Sequence, residues 1–253
     1  MVGSNGAGLP TDVPGAHPLR LVAVTHGAPS AQNREAVIRL VDGVASERPE
    51  LDVSISFVDA ANRDVAAALA AAAEPDAVIV PLVLSAGFHV RTGLSLGLDH
   101  LAGGARLADE LGPDDRIVAV LARRLLAVGL DDEDAVVLAA AGSNDPRAVR
   151  ECFETARRLG QWLGRPVTVG FIAAAIPRLP DAIEMIREVH PGSRVVVGAY
   201  LLAPGTFYDA AAGAGSDLIA DPLLLPGEPA PQELIDLVLE RFAAVDTNDF
   251  EPA

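Results

Sequence analysis

Leu21-Val22-Ala23-Val24-Thr25-His26-Gly27 runs from four apolar residues into a threonine, a histidine and a glycine. A short apolar run closed by glycine fits a strand buried on both faces that ends at a turn. The pattern returns 115 residues later as Val137-Leu138-Ala139-Ala140-Ala141-Gly142. Working outward from the first copy, the apolar period predicts a helix over Ala31–Glu47 and an alternating strand over Val53–Phe57. An Ala-rich helix follows over Arg63–Ala73, and then the most apolar strand, Ala77–Leu84. A short helix near Leu94–Leu101, a strand near Ala105–Ala108 and a helix over Asp115–Val128 complete the half. Such βαβα alternation implies a parallel sheet with helices on both faces.

The second copy repeats the plan. Strands are expected at Ala135–Ala140, Val167–Ile172, Val195–Leu201 and Leu218–Ala220. Helices are expected at Pro146–Leu163, Leu179–Val189 and Pro231–Phe242. Phe57-Val58-Asp59-Ala60-Ala61 aligns with Phe171-Ile172-Ala173-Ala174-Ala175 at an offset of 114. Leu84-Ser85-Ala86-Gly87-Phe88-His89 aligns with Leu202-Ala203-Pro204-Gly205-Thr206-Phe207 at an offset of 118, and Ala108-Asp109 aligns with Ala220-Asp221. Offsets this steady across a half-chain indicate an internal duplication. The expected architecture is α/β: two tandem flavodoxin-like domains, each a four-stranded parallel sheet covered by helices. Their expected extents are 19–130 and 131–245, divided at Asp131-Asp132-Glu133-Asp134, with tails at 1–18 and 246–253.

Composition narrows the function. With 253 residues and half of them apolar, the chain can bury a sizeable core, built from Ala, Val, Leu and Ile because only 4% are aromatic. The net charge of −16 argues against nucleic acid or an anionic membrane, both of which demand clustered positive charge. Every basic residue is Arg, a compositional bias with no functional reading. Cys152 is the single cysteine, so no internal disulfide can form. No apolar run is long enough for a membrane helix, and the Gly- and Pro-rich opening does not resemble a signal peptide. A cytoplasmic protein is the expectation.

The duplication permits a comparison within one sequence. Packing residues match between the halves, but three ionisable ones do not: His26 faces Ala141, Asp59 faces Ala173, and His89 faces Phe207. All three follow strand ends, the edge where open α/β sheets bind ligands. A strand order of 2-1-3-4 would bring them to one cleft, since neighbouring strands lie about 4.8 Å apart. Two imidazoles and a carboxylate suit a first-row divalent ion, and they can equally accept protons. His17, His100 and His190 read as surface residues, and Cys152 as core packing.

Three motifs are decoys. Gly93-Leu94-Ser95-Leu96-Gly97 matches a nucleophile elbow but does not follow a strand directly, which argues against a serine hydrolase using Ser95. Thr25-His26-Gly27 lacks the arginine of a histidine phosphatase, and Gly213-Ala214-Gly215 reads as a turn.

Taken together, Val24-Thr25-His26-Gly27, Phe57-Val58-Asp59 and Pro81-Leu82-Val83-Leu84-Ser85-Ala86-Gly87-Phe88-His89-Val90-Arg91-Thr92 resemble the sirohydrochlorin chelatase family. Leu111-Gly112-Pro113-Asp114-Asp115-Arg116 resembles the stretch before that family's last domain helix. The likeness spans about residues 19–245, in a duplicated form whose second half has lost its histidines. It departs from the family at Ala28-Pro29, where Ser or Thr and then Arg are usual, at Gly93 and Ser95, where Asp and Pro are usual, and at Thr25. The resemblance implies two chelatase-like domains that insert cobalt or iron into sirohydrochlorin, for cobalamin or siroheme. It implies His26 and His89 as metal-delivering ligands and proton acceptors, with Asp59 assisting. It also implies no organic cofactor, a divalent metal as substrate, and a tetrapyrrole lying between the halves. An anionic tetrapyrrole calls for a positive lining: Arg91 first, then Arg34 and Arg63 near helix starts. Because a duplication can replace a homodimer, a monomer is expected. The competing reading is a module of the same fold that binds metal or tetrapyrrole without catalysis.

Overall fold

The structure is a computed structural model that describes residues 20–26, 30–58, 77–85 and 105–246. Two parallel four-stranded sheets carry the fold. The first contains β1 (Arg20–His26), β2 (Asp52–Val58), β3 (Ala77–Pro81) and β4 (Arg106–Leu107), in the order β2-β1-β3-β4. The second contains β5 (Ala135–Ala140), β6 (Val167–Phe171), β7 (Val195–Tyr200) and β8 (Leu218–Ile219), in the order β6-β5-β7-β8. The order 2-1-3-4 therefore occurs twice, as the duplication requires. The helices among the described residues are α1 (Ala31–Glu47), α2 (Asp115–Ala127), α3 (Pro146–Leu163), α4 (Leu179–Val189), α5 (Thr206–Ala212) and α6 (Gln232–Asp246).

Local signals explain where the elements begin and end. Ser30 caps α1 by accepting the Asn33 N–H at 3.2 Å, and Asp145 caps α3 by accepting that of Arg147 at 2.8 Å. Pro146 opens α3, and Gly164 closes it in the left-handed conformation at φ 68°. In β5, Val136, Leu138 and Ala140 join one core while Val137 and Ala139 join another, so both faces of the strand are covered. Leu21–Val24 of β1 and all five residues of β3 are likewise buried.

Several expectations shift at their edges. β1 extends to His26 because Thr25 and His26 remain in the ladder opposite Phe57 and Val58. β3 stops at Pro81, which offers no N–H, but the chain beyond stays tied: the Leu82 N–H reaches the Val24 carbonyl at 2.7 Å, and the Leu111 N–H reaches that of Val83 at 2.9 Å. Sequence periodicity misses α5, a seven-residue helix between Gly205 and Gly213 with no side-chain cap. Gly213-Ala214-Gly215 is a turn, as read. The helices expected at Arg63–Ala73 and Leu94–Leu101, the Gly93–Gly97 motif and both tails, apart from Asp246, which ends α6, lie outside the described residues.

The last helix of each half covers the other half's sheet. α2, which follows β4, packs against β7 and α3; α6, at the end of the second half, packs against β3 and α1. Two glycines show how close this packing is. A Cβ on Gly198 of β7 would lie 3.3 Å from Leu125 of α2, and one on Gly43 of α1 would lie 2.6 Å from Ile235 of α6. Arg241 of α6 donates to the carbonyls of Glu110 and Leu111 at 2.9 and 3.2 Å, and Arg116 of α2 pairs with Glu240 of α6 at 2.9 Å. One continuous hydrophobic core runs through both halves as a result.

The acidic link between the halves is folded back on itself. Asp134 accepts the Asp131 N–H at 2.7 Å and both ends of the Arg194 guanidinium at 2.8 and 2.7 Å, while Arg165 donates to the carbonyls of Asp131 and Asp134. The Arg194 hydrogen bonds hold the Asp134 carboxyl below the usual carboxylate range.

Two outcomes follow from this packing. Residues 19–130 expressed alone should show no cooperative melting transition, because α2 would have no sheet to cover and β3 would lack α6. Mixing them with 131–246 should restore one, as read by circular dichroism; an independent, cooperative melt of the first fragment would contradict the exchange. Asp134, whose carboxyl is depressed on folding, contributes stability above about pH 4 that is lost as the pH falls through its lower folded value. Asp134→Asn should therefore cost about 1–2 kcal/mol at pH 7, discounted for the half-exposed Arg194, and much less near pH 2, as measured by urea denaturation at both.

Candidate metal-insertion site

The C-terminal edge of the first sheet collects the chain ends that matter. His26 is the last residue of β1 and stands in register with Val58, the last residue of β2. Asp59 is the next residue in the chain after Val58. On the other side of β1, Val24 pairs with Pro81 of β3, and Leu82 to Ser85 continue along the same edge. Ala108 is tied to the end of this edge by its N–H to the Ile79 carbonyl at 2.8 Å. The structure thus gathers β1, β2 and β3 as the site expectation requires. Asp59, His89, Arg91 and Arg63 themselves lie outside the described residues, as do His17 and His100.

Arg34 sits in the first turn of α1, immediately behind this edge. Its guanidinium carbon lies 4.3 Å from the centroid of the Phe57 ring, one residue short of the end of β2. A cation over an aromatic face is held without a carboxylate, and Arg34 forms no ion pair with a described residue. Its neighbour Asn33 reaches across the junction, donating from Nδ2 to the Pro204 carbonyl at 2.9 Å. Glu35 accepts the Gly227 N–H at 3.1 Å. The start of α1 therefore abuts the loops of the second half.

The corresponding edge of the second sheet is apolar. The Ala173 N–H bonds the Ala141 carbonyl at 2.9 Å, so the two alanines aligned with Asp59 and His26 stand together. Gly142, at φ 89°, passes so close that a Cβ would lie 1.9 Å from the Ala173 carbonyl oxygen. Phe207, aligned with His89, is half-exposed at the start of α5. Among the described residues no cluster of three metal-ligating side chains occurs.

Sequence reasoning missed the polar groups beneath the junction. Tyr200 ends β7 fully buried and donates its hydroxyl to the Leu84 carbonyl at 2.9 Å. Burial raises its phenol far above the ordinary value, so it stays protonated. Cys152 is buried in α3 as expected, and burial pushes its thiol up to about 11, partly offset by a hydrogen bond from Ser85. A thiol so protonated is neither nucleophile nor metal ligand at neutral pH. His190 is exposed at the end of α4, in line with its surface reading.

With this geometry in place, the family can be stated. The chain matches the CbiX family over residues 20–128 and 135–211. It belongs to the CbiX family. The match takes in the first repeat and the second as far as Ala211. No curated protein sequence matches the chain. SirB from Bacillus subtilis with Fe3+ superposes with a TM-score of 0.65 at 18% identity, over 91% of this chain and 97% of that one. SirB from Bacillus subtilis subspecies spizizenii in complex with cobalt gives 0.59 at 12%, over 91% and 97%. CbiX, described as the terminal enzyme for biosynthesis of siroheme in denitrifying bacteria, gives 0.60 at 20%, over 89% and 98%. At these identities the likeness establishes the two-sheet chelatase fold.

The Cys152 environment yields a direct check. In the native protein at pH 8, a thiol reagent should modify Cys152 at least about 100-fold more slowly than in denaturant, because both burial and the raised value suppress the thiolate. Equal rates in the two conditions would contradict the buried placement.

Proposed function

We propose that this member of the CbiX family is a sirohydrochlorin chelatase, inserting cobalt(II) or iron(II) into the macrocycle. The observation that carries the reading is His26 at the end of β1, in register with the residue before Asp59, in a chain whose two repeats both match the family. The metal-bound SirB structures, which hold Fe3+ and cobalt, support imidazole-compatible metals as the substrate.

The chemistry has two requirements. The incoming ion must exchange its waters for ring nitrogens, and the ring must release the protons on its inner nitrogens. His26 and His89 serve both, as ligands that replace water stepwise and as bases that accept the released protons. Asp59 assists with its carboxylate. The tetrapyrrole occupies the cleft between the two halves, where its carboxylates meet Arg91, Arg34 and Arg63. Of these, Arg34 is the one whose placement the structure describes, and its seat over Phe57 supports the role. No organic cofactor takes part, and the two halves of one chain work as a monomer.

The departures at Ala28-Pro29, Gly93 and Ser95 favour the second reading, a module that binds metal or tetrapyrrole without turnover. Anaerobic absorbance of sirohydrochlorin with cobalt(II) or iron(II) separates the two. Catalysed insertion should fall by about 100-fold or more in His26→Ala and in His89→Ala. A rate no faster than background from folded wild-type protein would leave the binding module instead. Arg34→Ala should raise KM for sirohydrochlorin several-fold, consistent with loss of one charge-assisted contact of about 1 kcal/mol, while KM for the metal stays unchanged. An equal rise in both would remove Arg34 from the tetrapyrrole site.

A further inference from the structure

The C-terminal edge of the second sheet holds large apolar side chains out in solvent. The chain leaving β6 is tied at three points: the Phe171 N–H reaches the Pro177 carbonyl at 2.9 Å, the Ala173 N–H that of Ala141 at 2.9 Å, and the Ala175 N–H that of Ala173 at 2.6 Å. Inside this loop Ala174 adopts φ 57°, the one positive value outside glycine among the described residues. Such strain persists only where the surroundings over-determine the backbone. Yet the tip so carefully held carries Ile176, which is 80% exposed. Along the same edge Phe207, the second residue of α5, is 49% exposed. β6 and β7 flank β5, so the two loops leave the sheet about 10 Å apart, close enough for one flat ring system to cover both. Single exposed apolar residues are ordinary, but two on the edge where such sheets bind ligands mark a contact surface.

This edge meets the first one. Asn33, beside Arg34 in α1, donates to the Pro204 carbonyl at 2.9 Å, three residues before Phe207. Arg147, at the start of α3, lies 3.6 Å from Glu110 just beyond β4. Charge points to the same occupant. Arg178, where the loop enters α4, is exposed, and its side chain makes no hydrogen bond or ion pair among the described residues. Arg34, on the first edge, likewise forms no ion pair with a described residue. Unneutralised guanidiniums beside apolar side chains suit a flat polycarboxylate. A second copy of a chain at −16 is a poorer fit, because like charge opposes association.

We infer that the second half supplies the apolar wall of the tetrapyrrole cleft: Ile176 and Phe207 lie against one face of the macrocycle, and Arg178 takes one of its peripheral carboxylates. This rests on the reading of the protein as a sirohydrochlorin chelatase. It gives the half without site histidines the task of holding the ring.

The test is titration of metal-free sirohydrochlorin into the full chain, followed by absorbance. It compares wild type, Ile176→Ala combined with Phe207→Ala, Arg178→Gln and a control, Val189→Ala. Val189 is 63% exposed at the far end of α4, about 16 Å from Arg178. All the substituted side chains are exposed, so every variant should melt like wild type. The double variant should bind about ten- to thirtyfold more weakly at low and high salt alike, as lost apolar contact does. Arg178→Gln should bind about three- to tenfold more weakly at about 0.05 M salt and like wild type at about 1 M, where the charge is screened. Val189→Ala should bind as wild type does. Wild-type affinity in the double variant, beside a wild type that binds sirohydrochlorin, overturns the wall and leaves the chelatase reading standing. So does an equal loss in Val189→Ala. So too does a double variant that binds normally but changes its mass in solution, which would make the surface an interface between copies. A wild type that neither binds nor metallates sirohydrochlorin overturns both readings.

Discussion

The exchange of α2 and α6 is the constraint on which the rest of the molecule depends. The buried face of α2 contains Ile117, Val118, Val120, Leu121, Ala122 and Leu125, and the helix packs on β7 and α3 of the second half as well as on α6. Leu234, Leu237, Val238 and Phe242 of α6 are buried, and that helix packs on β3 and α1 of the first half as well as on α2. Burying one such side chain stabilises by roughly 1.5–3 kcal/mol, so neither sheet can lose its foreign helix and remain covered. The guanidinium of Arg241 then fixes the register of α6 by taking up the carbonyls of Glu110 and Leu111, which lie just beyond β4. The two C-terminal edges are held beside each other because the helices that leave them are locked in the opposite half.

This arrangement changes what loss of the second set of histidines means. In two independent domains, a half without catalytic groups could drift or be deleted. Here Ala141 and Ala173 carry no chemistry, but the sheet behind them carries α2 and supplies the Tyr200 hydroxyl to the exit of β3. Duplication followed by exchange yields one edge with ionisable residues and one that buttresses it. The short side chains of the inert edge, with Gly142 too close to the Ala173 carbonyl to carry a Cβ, let the second sheet end without projecting a competing ligand.

Much of this was legible in the residues. The boundaries of α1 and α3 follow from Ser30, Asp145, Pro146 and the apolar period, and the repeat of Val-Ala-Val with Val-Leu-Ala gives two sheets of one order. The position of His26 at the end of β1, beside the end of β2, follows from the same reading, because strand ends in a parallel sheet share an edge. The exchange was not legible: the apolar stripe of α2 says that the helix is buried, not which sheet buries it. Nor was Tyr200, since at a strand position a tyrosine and a leucine give the same burial pattern, and the hydroxyl's partner is a backbone carbonyl in the other half. α5 escaped because seven residues between two glycines present barely two turns of period.

Charge is the remaining problem for the proposed function, because a chain at −16 would have to accept an anionic macrocycle. The resolution is local. Fields from exposed charges fade over about 8 Å at physiological ionic strength, so the distant carboxylates matter less than the few groups lining the edge. Most described arginines are committed to carboxylates: Arg123 to Glu233, Arg157 and Arg158 to Glu154, and Arg194 to Asp134. Arg34 is committed to a ring instead. Stacking on Phe57 fixes its position at the end of β2 while leaving its charge unneutralised by any described side chain. If Arg34 contacts the ligand as proposed, an acidic protein offers it a positive charge oriented by an aromatic face rather than by an acid, and Phe57, one residue short of the end of β2, supplies that face.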